Sequence, residues 1–208
     1  MRAENRVLRM GNRSGIQGWF DRIRFNEFLR QGIGLVLVAV CAYLARPGSD
    51  LVVWGLLCAG LGQVFRIYAA GYIFKNKKLA TYGPYALVRH PLYLGNFLIL
   101  TGFTLAAANL YVWIVVVLFF LIWYPAAVVY EDQKLENIFA DEWRGWSEHI
   151  RAVVPGRVRW ADLRAGGWDM YQSLIRNGEL PIAIYLGVCG AWLWLVSHAA
   201  RVSTYSGN

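Results

Sequence analysis

A chain of 208 residues that is 57% hydrophobic and only 16% charged, with a mean hydropathy of +0.36, carries more apolar surface than a water-soluble domain of this size can bury. These values exclude a soluble globular enzyme and lead us to expect an integral membrane protein. The net charge of +8 does not mark a nucleic-acid binder, because the 21 Lys and Arg are scattered along stretches flanking apolar runs, where anionic lipid headgroups are the natural partner.

In chain order, seven arginines from Arg2 to Arg30 precede the first apolar run, a lead too long and too polar for a cleaved signal peptide. Within it, Ile16–Phe28 interleaves Trp19, Phe20 and Ile23 with charges and is expected to lie along the membrane surface. A spanning helix needs about 20 mostly apolar residues. Spans are predicted over Gln31–Ala45, Leu51–Phe74, Leu92–Ala108, Leu110–Tyr130 and Leu180–Ala200, of which the first is short and the third contains Asn96. The expected fold is therefore all-α: a polytopic membrane protein of about five transmembrane helices in a single domain over 1–208, with a polar stretch, Glu131–Glu179, before the last span.

Cations set the orientation. Seven precede the first span, four lie between the second and third, and seven lie in Glu131–Glu179, all on one side of a five-span arrangement, with Arg46 and Arg201 on the other. The amino terminus is expected in the cytoplasm and the carboxyl terminus outside, in a membrane that is more readily the bacterial inner membrane than the endoplasmic reticulum. Cys41, Cys58 and Cys189 sit within apolar runs without paired spacing, so neither a disulfide nor a metal site is expected.

The string GPYALVRHPLYLG, Gly83 to Gly95, is the first to carry chemistry. Pro91 disfavours helical geometry at His90 and suits the first turn of a helix. The third span should therefore begin at Pro91, with Arg89 and His90 just outside. The free amides of that helix start, together with Arg89, suit an anionic or polar ligand. Tyr93 lies in the first turn, Gly95 permits close approach to the backbone, and the Gly83-Pro84 turn brings back Tyr82 and Tyr85. Arg89 and Tyr93 serving as ordinary interface anchors is the alternative.

The second constellation follows the fourth span. Leu135, Ile138, Phe139, Trp143, Trp146, Ile150 and Val153 recur at three- and four-residue spacing, which predicts a cytosolic amphipathic helix along the membrane face. Glu131 and Asp132 stand at its expected start, either as caps stabilised by the helix dipole or as partners for a cation.

The order Gly83-Pro84-Tyr85, Arg89-His90-Pro91, Tyr93, Gly95, then Glu131, Leu135, Phe139 and Pro155 resembles the isoprenylcysteine carboxyl methyltransferase family and its relatives, the phospholipid methyltransferases, over Tyr82–Pro155. The resemblance implies an enzyme that binds S-adenosylmethionine at its cytosolic side and methylates a lipophilic substrate reaching in from the bilayer. It implies a cofactor-binding region over 82–155, with Tyr85, Arg89, His90, Pro91, Tyr93, Gly95, Glu131 and Asp132 around the cofactor and Arg89, His90 and Glu131 in the catalytic roles. A cytosolic connector, 156–179, then leads to the last span. Where the family has a glycine after the phenylalanine and then two tyrosines, this chain has Ala140, Trp143 and Trp146, and Asp132 stands for a frequent second glutamate. Methyl transfer from a sulfonium is an in-line displacement served by alignment and a dry site, and requires no metal.

Arg66 is the one strong base within an apolar run, roughly 10 Å from the cytoplasmic end by helical rise. Together with Trp143 and Trp146 it is a candidate for contact with the substrate, although an arginine near an interface can also snorkel. Pro125 is expected to kink the fourth span. His149 and His198 have no partner identifiable from sequence. A nicotinamide-dependent membrane sterol or enone reductase is the alternative enzyme, and a membrane protein that only binds lipid or a partner is the alternative outside catalysis.

Overall fold

The computed structural model describes residues 27–46, 50–74, 77–156 and 160–205, with side chains described from 29 to 199. The interfacial stretch expected over Ile16–Phe28 lies outside the described residues. Among those that are described there is no strand. Six α-helices follow one another: α1 (Glu27–Tyr43), α2 (Leu51–Ala70), α3 (Pro91–Ala107), α4 (Leu110–Ser147), the short α5 (Trp160–Arg164) and α6 (Glu179–Tyr205).

Local chemistry sets several of these boundaries. α3 begins at Pro91, with His90 held outside the helix at φ −122°, ψ 66°. The Asn109 side chain caps α4 by accepting from the Tyr111 amide at 3.0 Å. Gly83, at φ +62°, starts the tight turn Gly83–Ala86 with its Cα against the Tyr72 ring, where a side chain would find neither dihedral freedom nor room.

α4 departs from expectation. The break expected at Glu131 is not there: the helix runs on through Glu131 and Asp132, and the kink comes later, at Ala140, within the 38 residues of α4. Its regular part, 110–139, is about 45 Å long, more than a hydrocarbon core of about 30 Å. Glu131 and Asp132 therefore sit mid-helix and cap nothing. The backbone stays helical through Pro125, and its departure comes at Ala140, with φ 44° and ψ −112°.

Leu51–Ala70, Leu110–Ser147 and Glu179–Ala199 are long and apolar enough to cross a membrane, and α1 and α3 are shorter apolar helices. Each of those two has 17 residues, or about 25 Å, near the lower limit for a span. Large apolar side chains such as Leu57, Leu61, Leu121, Ile184 and Leu195 face outward, as lipid contact requires.

α2 and α3 pack closely because small residues line their seam. A Cβ on Gly55 would lie 2.4 Å from the Gly102 carbonyl oxygen, and one on Gly62 would lie 2.8 Å from that of Gly95. At one end of the bundle the Arg46 amide donates to Ala107 (2.9 Å) and the Asn109 amide group to Leu44 (3.0 Å). At the other, side chains preceding α6 cap the loose end of α2: Ser173 donates to Ile67 (2.6 Å), Asn177 to Ala70 (2.7 Å) and Gln172 to Ile73 (2.8 Å).

Candidate functional site

α1, α2, α3, α4 and α6 enclose a cavity of about 230 Å³. One end is polar and carries Arg30, Lys78, Arg89, His90, Glu131 and Lys134. The other is apolar, formed by Val38, Ile99, Leu100, Phe119, Ile182 and Leu186. α1 from Arg30 to Val38, α3 from His90 to Leu100 and α6 from Glu179 to Leu186 each pass from polar to apolar residues into the bundle, whereas α2 sets Arg66 deeper than Ala70.

Asp132 organises the polar end. Its carboxylate accepts a two-pronged contact from Arg89, Nε to Oδ1 at 3.2 Å and Nη2 to Oδ2 at 2.7 Å, and lies 2.8 Å from His90 Nε2. With the carboxylate accepting, that ring nitrogen carries the proton. Arg89 Nη1 donates to the carbonyls of Ser147 (3.1 Å) and Ile150 (2.8 Å), and the amides of Arg89 and His90 donate to Arg151 and Ala152, each at 2.9 Å. The chain after α4 is thereby strapped over the start of α3. The Arg89 guanidinium also lies over the Trp143 ring, 5.8 Å from its centroid.

Beside this cluster Tyr93 donates to Glu131 Oε2 at 2.5 Å, and Arg30 lies 4.9 Å over the Tyr93 ring. Tyr85 is buried against Tyr72 and Ala69, with Trp146 packed on the same group and also lining the cavity. Among the described residues the buried Trp146 Nε1 has no hydrogen-bond partner, so the cavity wall holds a donor available to a ligand.

Of the residues expected around the cofactor, Tyr85, Arg89, His90, Pro91, Tyr93 and Glu131 line the cavity. Asp132 stands behind them, bonded to Arg89 and His90. Gly95 faces α2, where a Cβ would lie 2.4 Å from Arg66 Cγ. Of the substrate candidates, Arg66 and Trp146 line the cavity and Trp143 packs on Arg89.

Sequence reasoning missed Arg30, Asn96, Tyr124 and Glu179, all on the cavity wall. Two of these carried a signal. Asn96 is a lone amide in an apolar run, and a buried arginine such as Arg66 calls for an acid at its own depth, which Glu179 supplies at 2.6 Å. His198 also has a neighbour, its Nδ1 lying 3.1 Å from the Trp194 carbonyl.

The phospholipid methyltransferase family matches residues 38–142, a segment that covers most of the cavity wall. The chain belongs to that family. It is 40% identical over 141 residues to the cobalt-zinc-cadmium resistance protein CzcN of Cupriavidus metallidurans, an alignment covering 66% of this chain and 63% of the relative. It is 33% identical over 124 residues to the nickel-cobalt-cadmium resistance protein NccN of Alcaligenes xylosoxydans xylosoxydans, covering 54% of this chain and 58% of the relative. The chain thus spans roughly three fifths of the length of either relative. No solved structure matches it. Within the family-matched segment lie Arg89, His90, Tyr93, Glu131 and Asp132, whereas Trp143, Trp146 and Glu179 fall beyond it.

Proposed function

We propose that this phospholipid methyltransferase family member is an S-adenosylmethionine-dependent methyltransferase whose acceptor is a lipophilic molecule, as the likeness to isoprenylcysteine carboxyl methyltransferase implies. The observation that carries the reading is the graded cavity, polar beside Glu131 and apolar beside Phe119, which suits a charged cofactor and a lipid tail in one enclosure. The donor set fits the cofactor. Glu131 offers a carboxylate to an ammonium group, and the Trp146 indole offers an unsatisfied N–H. Bound adenosylmethionine supplies the activated methyl group.

The protein's own residues position and enclose. Tyr93 fixes the Glu131 carboxylate, Asp132 fixes the His90 ring, and Arg89 ties the chain after α4 to the start of α3. All three Arg89 nitrogens are engaged within the protein, which makes it a positioning residue. An amine acceptor would need a base, for which Glu131 and His90 stand ready; a carboxylate or thiolate would need none.

In this reading α1 and α3 cross the membrane together with α2, α4 and α6, giving five spans in a bacterial inner membrane with the cavity mouth toward the cytoplasm. That the relatives are named as metal resistance proteins supports a contribution to metal tolerance, by methylation of a membrane component. Calorimetry on the purified protein with adenosylhomocysteine, and incubation with labelled adenosylmethionine and a lipid extract, test the reading. We expect saturable binding and label in the organic phase. Binding of reduced nicotinamide cofactor in their place would turn the reading to a reductase.

A further inference from the structure

The polar and apolar parts of the cavity meet at a group of side chains to which methyl transfer assigns no role. α3 presents Tyr93, Asn96, Ile99 and Leu100 to the cavity at three- and four-residue spacing, one face of a helix, so its wall changes from phenol through amide to aliphatic within about two turns. A lipid with its tail among Ile99, Leu100 and Phe119 brings its head to the level of Asn96.

Asn96 is not free to turn. Arg66 Nη1 donates to its Oδ1. Arg66 is fixed in turn by Glu179, with Nη2 2.6 Å from Oε1 and Nε 3.2 Å from Oε2, and Gln63 donates to the same carboxylate at 3.1 Å. Arg66 and Glu179 are 3% and 1% exposed. Because a guanidinium has only donors, the Asn96 carboxamide must give its oxygen to Arg66 and turn its NH2 away. That NH2 carries two protons. The neighbouring Tyr124 hydroxyl can accept one, which leaves the other for a ligand.

We propose that Asn96, oriented by Arg66 and Glu179, donates a hydrogen bond to the polar head of the lipid acceptor at the junction of the cavity's polar and apolar parts. The inference rests on the methyl-transfer reading. Asn96 is the contact; Arg66 and Glu179 are positioning residues. Glu179 opens α6, beyond the segment the family matches, so the last helix contributes to how the acceptor is held.

Asn96→Asp keeps side-chain volume and an oxygen for Arg66 but replaces the donor with an acceptor. We expect adenosylhomocysteine affinity and melting temperature close to wild type, while label transfer to a lipid extract falls at least about tenfold, mainly through a raised apparent KM for lipid. A purely structural role for the group predicts the opposite, since Arg66 keeps its partner. Glu179→Gln should also impair transfer, and adding it to Asn96→Asp should cost less than the product of the two separate effects, because both act through one contact. Should Asn96→Asp fail to fold, Asn96→Ala, which removes the same donor without adding charge, decides the matter.

Wild-type transfer by the folded Asn96 variant, or fully independent losses in the double variant, overturns the inference. A wild-type protein that binds adenosylhomocysteine but labels no lipid overturns it together with the lipid acceptor. One that binds no adenosylhomocysteine overturns the methyl-transfer reading itself.

Discussion

Asp132 takes bonds from both Arg89 and His90, so two residues of the Gly83–Gly95 string and one of the second constellation act as one unit. Arg89→Lys keeps the charge but cannot make the forked contact and also reach Ser147 and Ile150. It should lower stability by at least about 1.5 kcal/mol, read as a fall in melting temperature, and loosen the chain after α4, read as faster proteolysis there. Glu131→Gln separates charge from shape. If Glu131 holds the cofactor's ammonium, adenosylhomocysteine binding should weaken by about 1.5–3 kcal/mol in calorimetry, while Tyr93→Phe, which leaves the carboxylate in place, should weaken it less. Ala140 has positive φ inside α4, where an L side chain is strained. Ala140→Gly should therefore raise the melting temperature, by the equivalent of about 1 kcal/mol, unlike a glycine placed at an ordinary helical position.

The elements show which parts of the fold a sequence reveals. The start of α3 was legible because Pro91 acts on its own neighbour through sterics, with no help from the rest of the molecule. The continuity of α4 was not: apolar content falls after Tyr130, but no glycine or proline follows until Gly145, so nothing ends the helix where it leaves the apolar run. The tight seam between α2 and α3 is written in Gly55, Ala59, Gly62, Gly95 and Gly102, yet only the packed structure shows which glycines face each other. A Cβ on Gly102 would lie 2.5 Å from backbone atoms of Ala59 and Gly55, whereas one on Gly60 meets nothing within 4 Å. Gly102→Ala should accordingly destabilise by about 1–3 kcal/mol, and Gly60→Ala should be neutral or slightly stabilising. Thermal melts of the two variants in one detergent make the comparison, and equal melting temperatures would contradict the close α2–α3 contact.

Across the whole molecule, the candidate site was legible where its residues lie close together in one string, as in Arg89-His90-Pro91 and Tyr93. It was hidden where it depends on pairing across the chain, as Arg66 does with Glu179, 113 residues away. That long-range pair also bears on topology. It ties the start of α6 to the end of α2, beside the cavity's polar residues, while Arg46 and Ala107 meet at the opposite end of the bundle. Lys78, Arg89, Lys134 and Arg176 gather toward the first of these ends, and the cation bias of cytoplasmic loops supports the proposal that this end faces the cytoplasm. In that proposal α6 runs away from the cytoplasm toward the outer face. A reporter that is active only outside, fused after Asn208, should be active, and one fused within 165–168, between α5 and α6, should be silent. Activity at both positions would mean that α6 does not cross, and the buried Arg66–Glu179 pair would then be holding a helix that lies along the cytoplasmic face.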